Sequence, residues 1–209
     1  MIANIPDHNR AAIRAAVREG FIHGMFQHER EVILFLEWFL TTLDNDRIGT
    51  VIEIGAHRGG TSALFCELGA KVISVDLPDG PWGGIGKASA EARDAELKKV
   101  YVDRYIPLHA DSQLPETREL VRFNLAGKRA DLLFVDGDHS YLGSKHDFEN
   151  YSDFVRPGGV VAFHDINDTA LHRDRGVMVS KLWKELAARL PSQEFSIQDQ
   201  WGGIGAVRV

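Results

Sequence analysis

Apolar residues follow two rhythms along this chain. Five short apolar runs, Thr50–Ile54, Lys71–Val75, Tyr105–His109, Asp131–Val135 and Val160–Phe163, are separated by stretches with helical character. Those stretches lie near Thr61–Leu68, Lys87–Val100, Pro115–Asn124 and Leu142–Phe154. Near-continuous apolar runs read as buried strands. Strands alternating with helices predict a parallel sheet, because each parallel pair needs a crossover connection. Two further helices are expected before the first strand, Asn9–Arg18 and Gln27–Leu43. In the second, Val32, Leu36, Phe39, Leu40 and Leu43 recur at helical spacing. After a last helix, Val177–Arg189, the runs Phe195–Gln198 and Ile204–Val209 flank the turn-like Asp199-Gln200-Trp201-Gly202-Gly203. No helix fits between them, so they should pair as an antiparallel hairpin at the sheet edge. The pattern predicts an α/β fold: a doubly wound sheet of about seven strands, mostly parallel, with an antiparallel C-terminal edge hairpin and N-terminal helices. No repeat or linker marks a boundary. The expectation is one domain over 1–209, with a helical region at 1–48 and a cofactor-binding core at 49–209.

Composition narrows the partners. A net charge of −6 gives no broad attraction to nucleic acid or to an anionic membrane. Cys66 is the only cysteine, which excludes an intrachain disulfide and a cysteine-rich metal site. It reads as a small core residue. The first ten residues include Asp7, His8, Asn9 and Arg10 and show no secretory apolar core. The longest apolar stretch, Val32–Leu40, is broken by Glu37 and is too short to span a bilayer. The expectation is a cytoplasmic protein acting on a small molecule, with no membrane or nucleic-acid partner and with homo-oligomer formation left open.

Chemistry concentrates in VIEIGAHRGGTS, Val51–Ser62. An apolar strand carrying Glu53 is followed by Gly55, Gly59 and Gly60 and then by a helix. Glycine there lets the backbone turn sharply and approach a ligand. The next strand ends on Asp76, 21 residues after Gly55, where an acid can hydrogen-bond both hydroxyls of a ribose. Ala56, His57 and Arg58 separate the first two glycines, so this is not the dinucleotide G-x-G-x-x-G. The spacing points instead to S-adenosylmethionine. In open parallel sheets ligands bind at the carboxyl ends of the strands. Those ends here carry Glu53 and Gly55, Asp76, His109 with Asp111 and Ser112, Asp136 with Asp138 and His139, and His164 with Asp165. So many polar groups on one edge are costly to bury as mere packing.

The glycine loop, LFVDGDHSY (Leu133–Tyr141) and RPGGVVAFHDI (Arg156–Ile166) together resemble the class I S-adenosylmethionine-dependent methyltransferases, a Rossmann-like family. Within it they are most similar to the small-molecule O-methyltransferase branch, grouped with cephalosporin-hydroxylase-like and macrolide-sugar enzymes. The resemblance implies that Glu53, Gly55 and Gly59 hold the cofactor's methionine portion and that Ala56, His57 and Thr61 also bind the cofactor. It further implies that Asp76 takes the ribose and that Asp111 with Ser112 frames the adenine. Metal-assisted relatives carry an acid after the fourth strand and an acidic pair after the fifth, so Asp136, His164 and Asp165 are the expected metal ligands. Mg²⁺ suits two carboxylates plus water, whereas a nitrogen ligand from His164 would favour Mn²⁺, Fe²⁺ or Zn²⁺. The alternative is that Asp165 orders its loop and Asp136 bonds the cofactor amine.

Methyl transfer to a hydroxyl also needs a base, and His139 is the candidate, with Asp136 second. His139 could otherwise lie over the adenine. Asp138 is expected either to orient it or to face solvent. Three elements have two readings each. Phe21–Gln27 covers the cofactor or, as the better reading, joins two helices. Leu77–Gly86 is a lid or a connector. Trp201 lines the acceptor pocket or, as the better reading, caps the sheet edge. The rival functions are a Rossmann-type nucleotide-binding oxidoreductase and a non-catalytic cofactor-binding subunit.

Overall fold

The computed structural model describes residues 5–43, 47–197 and 200–209. Two helices lead the chain, α1 (Asp7–Ile22) and α2 (Glu29–Leu40). An alternating series follows: β1 (Thr50–Ile54), α3 (Gly60–Glu67), β2 (Lys71–Asp76), α4 (Lys87–Tyr101), β3 (Tyr105–His109), α5 (Pro115–Leu125), β4 (Ala130–Val135), α6 (Tyr141–Tyr151) and β5 (Val155–His164). The chain then forms α7 (Ala170–Asp174), α8 (Val179–Ala187), β6 (Ser192–Phe195) and β7 (Ile204–Arg208). The strands make one seven-stranded sheet in the order β3-β2-β1-β4-β5-β7-β6. β1 to β5 are parallel, and β7 pairs antiparallel with both β5 and β6. The expected α/β architecture is therefore present, edge hairpin included.

Alternate side chains on each strand feed two separate cores. Val51, Val72, Leu132, Phe134, Val160 and Ala162 pack under α1, α2 and α3. Ile52, Ile54, Ile73, Leu133, Val161 and Phe163 pack under α5, α6 and α8. A sheet covered on both faces needs apolar residues at successive positions, which is why the strands read as runs rather than alternations.

Boundaries differ in two informative places. The hairpin strand expected at Phe195–Gln198 lies at Ser192–Phe195; Gln198 and Asp199 fall outside the described residues. β5 begins at Val155, five residues early, because Arg156 to Gly159 form an irregularity between the Ala130 and Leu132 pairings. The order of strands reverses between β1 and β4, since β2 and β3 lie on one side and β4 onward on the other. That switch point opens a crevice at the carboxyl ends of β1 and β4.

Candidate active site

Two cavities open from this crevice. The smaller, of about 290 Å³, is lined by Gly55, His57, Asp76, Asp111, Ser112 and Asp136 among others. The larger, of about 680 Å³, is lined by Phe26, Trp82, His139, Asp165, Arg175 and Trp201 among others. They share His57, Pro81, Trp82, Gly83 and Asp136. Asp136 thus stands where one cavity passes into the other.

Gly55 makes the closest approach. Its φ is +92° and a Cβ there would lie 2.2 Å from the Asp136 carbonyl oxygen, so only glycine fits between β1 and the β4 loop. Gly59, with φ +86°, is closed off by Leu97 and Arg93 and turns the chain into α3. The Asp76 carboxylate accepts from the Ala56 N–H (3.2 Å) on one oxygen and from Arg93 Nη1 (2.8 Å) on the other. A carboxylate offers about four acceptor sites, so lone pairs remain for a diol. Arg93 Nη1 also donates to the His57 carbonyl (2.5 Å), clamping the glycine loop to Asp76. Ser112 faces the cavity and donates to Asp147 (2.6 Å) behind it.

Glu53 sits elsewhere. It is fully buried, lines neither cavity, and one oxygen accepts from Ser62 and from Ser74 (2.5 Å). Burial pushes its carboxyl up to about 7, against the hydrogen bonds of the two serines. Direct cofactor contact by Glu53 is not what this geometry offers. Glu53 instead braces β1 against β2 and α3. Thr61 likewise acts from behind, donating to Gln27 Oε1 (3.3 Å). Gln27 Nε2 in turn donates to Asp136 (2.8 Å). Phe21–Gln27, whose better reading was a join between two helices, therefore reaches the site through Gln27 and through Phe26 on the larger cavity.

At the carboxyl ends of β4 and β5, one carboxylate gathers three imidazoles. Asp165 lies 2.9 Å from His139 Nδ1, 3.3 Å from His164 Nδ1 and 3.4 Å from His172 Nε2. Asp165 itself holds a left-handed φ of 62°, a conformation that aspartate tolerates better than most residues. Burial alone would raise its pKa, but the His164 charge and the bonds from His139 and His172 hold it far below the carboxylate range. Burial opposes the charged form of His139, yet the Asp165 hydrogen bond and the Asp136 charge outweigh it and raise its pKa. His164 is raised to about 9: burial works against its imidazolium, and the Asp136 and Asp165 charges overcome that.

Among the described residues, Asp136, His139 and Asp165 form a group whose ligand atoms come within 4.8 Å of one another. His164, the expected third ligand, is 3% exposed and turns Nδ1 onto Asp136 (3.1 Å). Its Nε2 is buried without a partner, and a Cβ on Gly202 would lie 3.3 Å from it. Asp138 takes neither expected part, since it accepts from Ser140 N (2.8 Å) and Gln113 Nε2 (3.3 Å). His109 pairs with Asp94 (2.6 Å), away from both cavities.

Trp201 faces the larger cavity rather than capping the edge. It stacks on Phe26 at 4.6 Å, and its carbonyl pairs with His28 Nε2 (2.9 Å). Glu31 of α2 holds this loop by accepting from Ile197 N (2.7 Å) and Gly203 N (2.9 Å). Arg93, Gln27 and Glu31 were not legible in the sequence, because each acts through a partner more than 15 positions away; His172 was missed because it lies beyond the predicted strand ends, although its partner Asp165 is close in sequence. Cys66 is buried core, its thiol pushed up to about 12 by desolvation.

Residues 52–166, more than half of the chain, match the family described as "Methyltransferase domain". The chain belongs to that family. Membership sets aside the oxidoreductase reading. An uncharacterised protein of Sinorhizobium fredii, y4gI, is 30% identical over 171 residues. That match covers 79% of this chain but 18% of the relative, so the chain spans about a fifth of its length. Two solved structures carry the same fold. MycE from the mycinamycin biosynthetic pathway, in complex with Mg and S-adenosylhomocysteine, superposes with a TM-score of 0.62 at 14% identity, covering 99% of this chain and 55% of MycE. An O-methyltransferase from Bacillus cereus with bound S-adenosylhomocysteine has a TM-score of 0.60 at 14% identity, covering 100% and 94%. This methyltransferase domain thus has the class I Rossmann-like architecture, and no helix among its described residues is long and apolar enough to cross a membrane.

Proposed function

We propose that this chain binds S-adenosylmethionine in the smaller cavity and methylates a hydroxyl of a small molecule held in the larger one. The observation that carries this is the junction. His139, paired with Asp165, lines the larger cavity, while Asp136 is common to both. The smaller cavity fits the cofactor. Gly55 and His57 bring the glycine loop into its lining, and Asp76 keeps acceptor capacity for two ribose hydroxyls. When bound, S-adenosylmethionine supplies an electrophilic methyl group, and the protein's part is alignment and a deprotonated acceptor.

His139 is the base in this reading. Its Nδ1 is engaged by Asp165 at 2.9 Å, which fixes the tautomer with Nε2 free to accept the acceptor's proton. An aspartate behind a histidine orients the ring and stabilises the imidazolium that forms.

A divalent cation also fits. Asp136 and Asp165 supply hard carboxylate oxygens whose ligand atoms lie within 4.8 Å of one another, Asp165 Oδ1 being buried with only the longer His164 and His172 contacts of 3.3 and 3.4 Å. These two would hold the ion, which would draw the acceptor oxygen in and lower its pKa. Keeping His139 on Asp165 reserves it for proton transfer rather than ligation.

The test is transfer of labelled methyl from S-adenosylmethionine to a panel of hydroxylated small molecules. His139→Ala should lower kcat at least about tenfold while S-adenosylhomocysteine affinity stays unchanged. Turnover equal to wild type on the true acceptor would remove His139 as base. Cofactor binding with no acceptor methylated under any condition would favour the non-catalytic subunit.

A further inference from the structure

The larger cavity carries an electrostatic asymmetry that methyl transfer does not use. Its two carboxylates, Asp136 and Asp165, are already engaged by His139, His164 and His172 at 2.9 to 3.4 Å. Arg175, on the same wall, has no carboxylate within ion-pair distance among the described residues. The neighbouring cations are spoken for, since Arg173 and Lys184 both pair with Asp168.

The backbone that carries Arg175 is held in place. Arg175 caps α7, and Gly176 behind it turns with φ +73° beneath Trp82, whose ring edge would lie 3.9 Å from a Cβ there. Met178 N then donates to the His139 carbonyl at 2.8 Å, pinning the segment to the loop that bears the base. The remaining lining is mostly apolar and carries two indoles. Trp82 lies 5.4 Å from the His139 ring, and Trp201 is stacked on Phe26. Indole faces suit a planar or sugar ring, and a guanidinium recognises a carboxylate or phosphate in a two-pronged fork.

We infer that the acceptor is a ring-bearing hydroxyl compound with an anionic substituent, carboxylate or phosphate, which Arg175 recognises. This rests on the proposed function, because it places the acceptor in the larger cavity. Arg175 is then a specificity residue: it selects the acceptor and takes no part in methyl or proton movement.

The test is calorimetric titration of the protein saturated with S-adenosylhomocysteine, using matched probes. One pair is 3,4-dihydroxybenzoate against its neutral amide; the other is a glucose phosphate against glucose. An exposed arginine confers modest discrimination, so in at least one pair the anionic member should bind about fivefold tighter in wild type. In Arg175→Gln that ratio should fall to near one, with S-adenosylhomocysteine affinity unchanged. Equal affinity within both pairs in wild type, discrimination that survives in Arg175→Gln, or failure of all four probes to bind would each overturn the inference. Failure of S-adenosylhomocysteine itself to bind would instead overturn the proposed function beneath it. If only the carboxylate or only the phosphate is favoured, the inference stands and the anion is identified.

Discussion

At the scale of single residues, the site turns on how Asp165 distributes its hydrogen bonds. His139 is raised above the ordinary histidine pKa although burial opposes its charged form. A base must be neutral to act, so kcat should rise with pH through an acid limb lying above about 6.5, the unperturbed value. Asp165→Asn removes the charge that favours the imidazolium. The limb should then move to lower pH while kcat falls, and a pH–rate profile of the variant reads this directly. An unmoved limb would mean that another group titrates. His139 and Asp165 were both legible in the sequence, since each follows closely on the carboxyl end of a predicted strand. The pairing between them was not, because it depends on β4 and β5 lying side by side with their ends level.

At the scale of elements, the strands were the most legible part, and their errors have physical causes. β6 was displaced by three residues because Ser192, Gln193 and Glu194 are exposed on an edge and give no apolar signal. β5 was cut short because Pro157-Gly158-Gly159 has turn composition although it lies within the strand. α7 carries no periodic signal, being five residues long with only His172 buried. Glu53, an acid at the end of an apolar strand, suggested a ligand contact, yet it packs between β1, β2 and α3.

That packing has a stability consequence. Glu53 is raised from 4.5 to about 7, so the folded state holds a proton that the unfolded chain releases. Its contribution is complete below pH 4.5 and is lost as pH rises toward 7. By linkage the loss amounts to about 3 kcal/mol. Asp147, also raised to about 7 chiefly by burial, acts in the same direction. Urea unfolding at pH 5 and pH 7.5 should show wild type weakening with pH and Glu53→Gln weakening less. An identical pH slope would refute the assignment. In the glycine loop, Gly55→Ala sets a Cβ 2.2 Å from the Asp136 carbonyl at a φ of +92°. A cost of about 1–3 kcal/mol is expected, seen as a lowered Tm together with weakened cofactor binding.

At the scale of the whole molecule, function follows from where the strand order reverses. The switch between β1 and β4 places the glycine loop and Asp76 on one side and the aspartate–histidine cluster on the other. The smaller cavity therefore ends where the larger begins. If Asp136 and Asp165 hold a divalent ion, dialysis against a chelator should lower turnover and added Mg²⁺ should restore it. Full activity in metal-free protein would leave His139 as the sole activator. The central claim, a cofactor held by the glycine loop and Asp76, is tested most directly by titrating S-adenosylhomocysteine calorimetrically into wild type, Asp76→Asn and His139→Ala. Wild type should bind one equivalent. Asp76→Asn, which keeps the side chain's size but loses a charged acceptor, should bind about tenfold more weakly. His139→Ala should match wild type. No binding to wild type, or equal affinity in Asp76→Asn, would contradict the account.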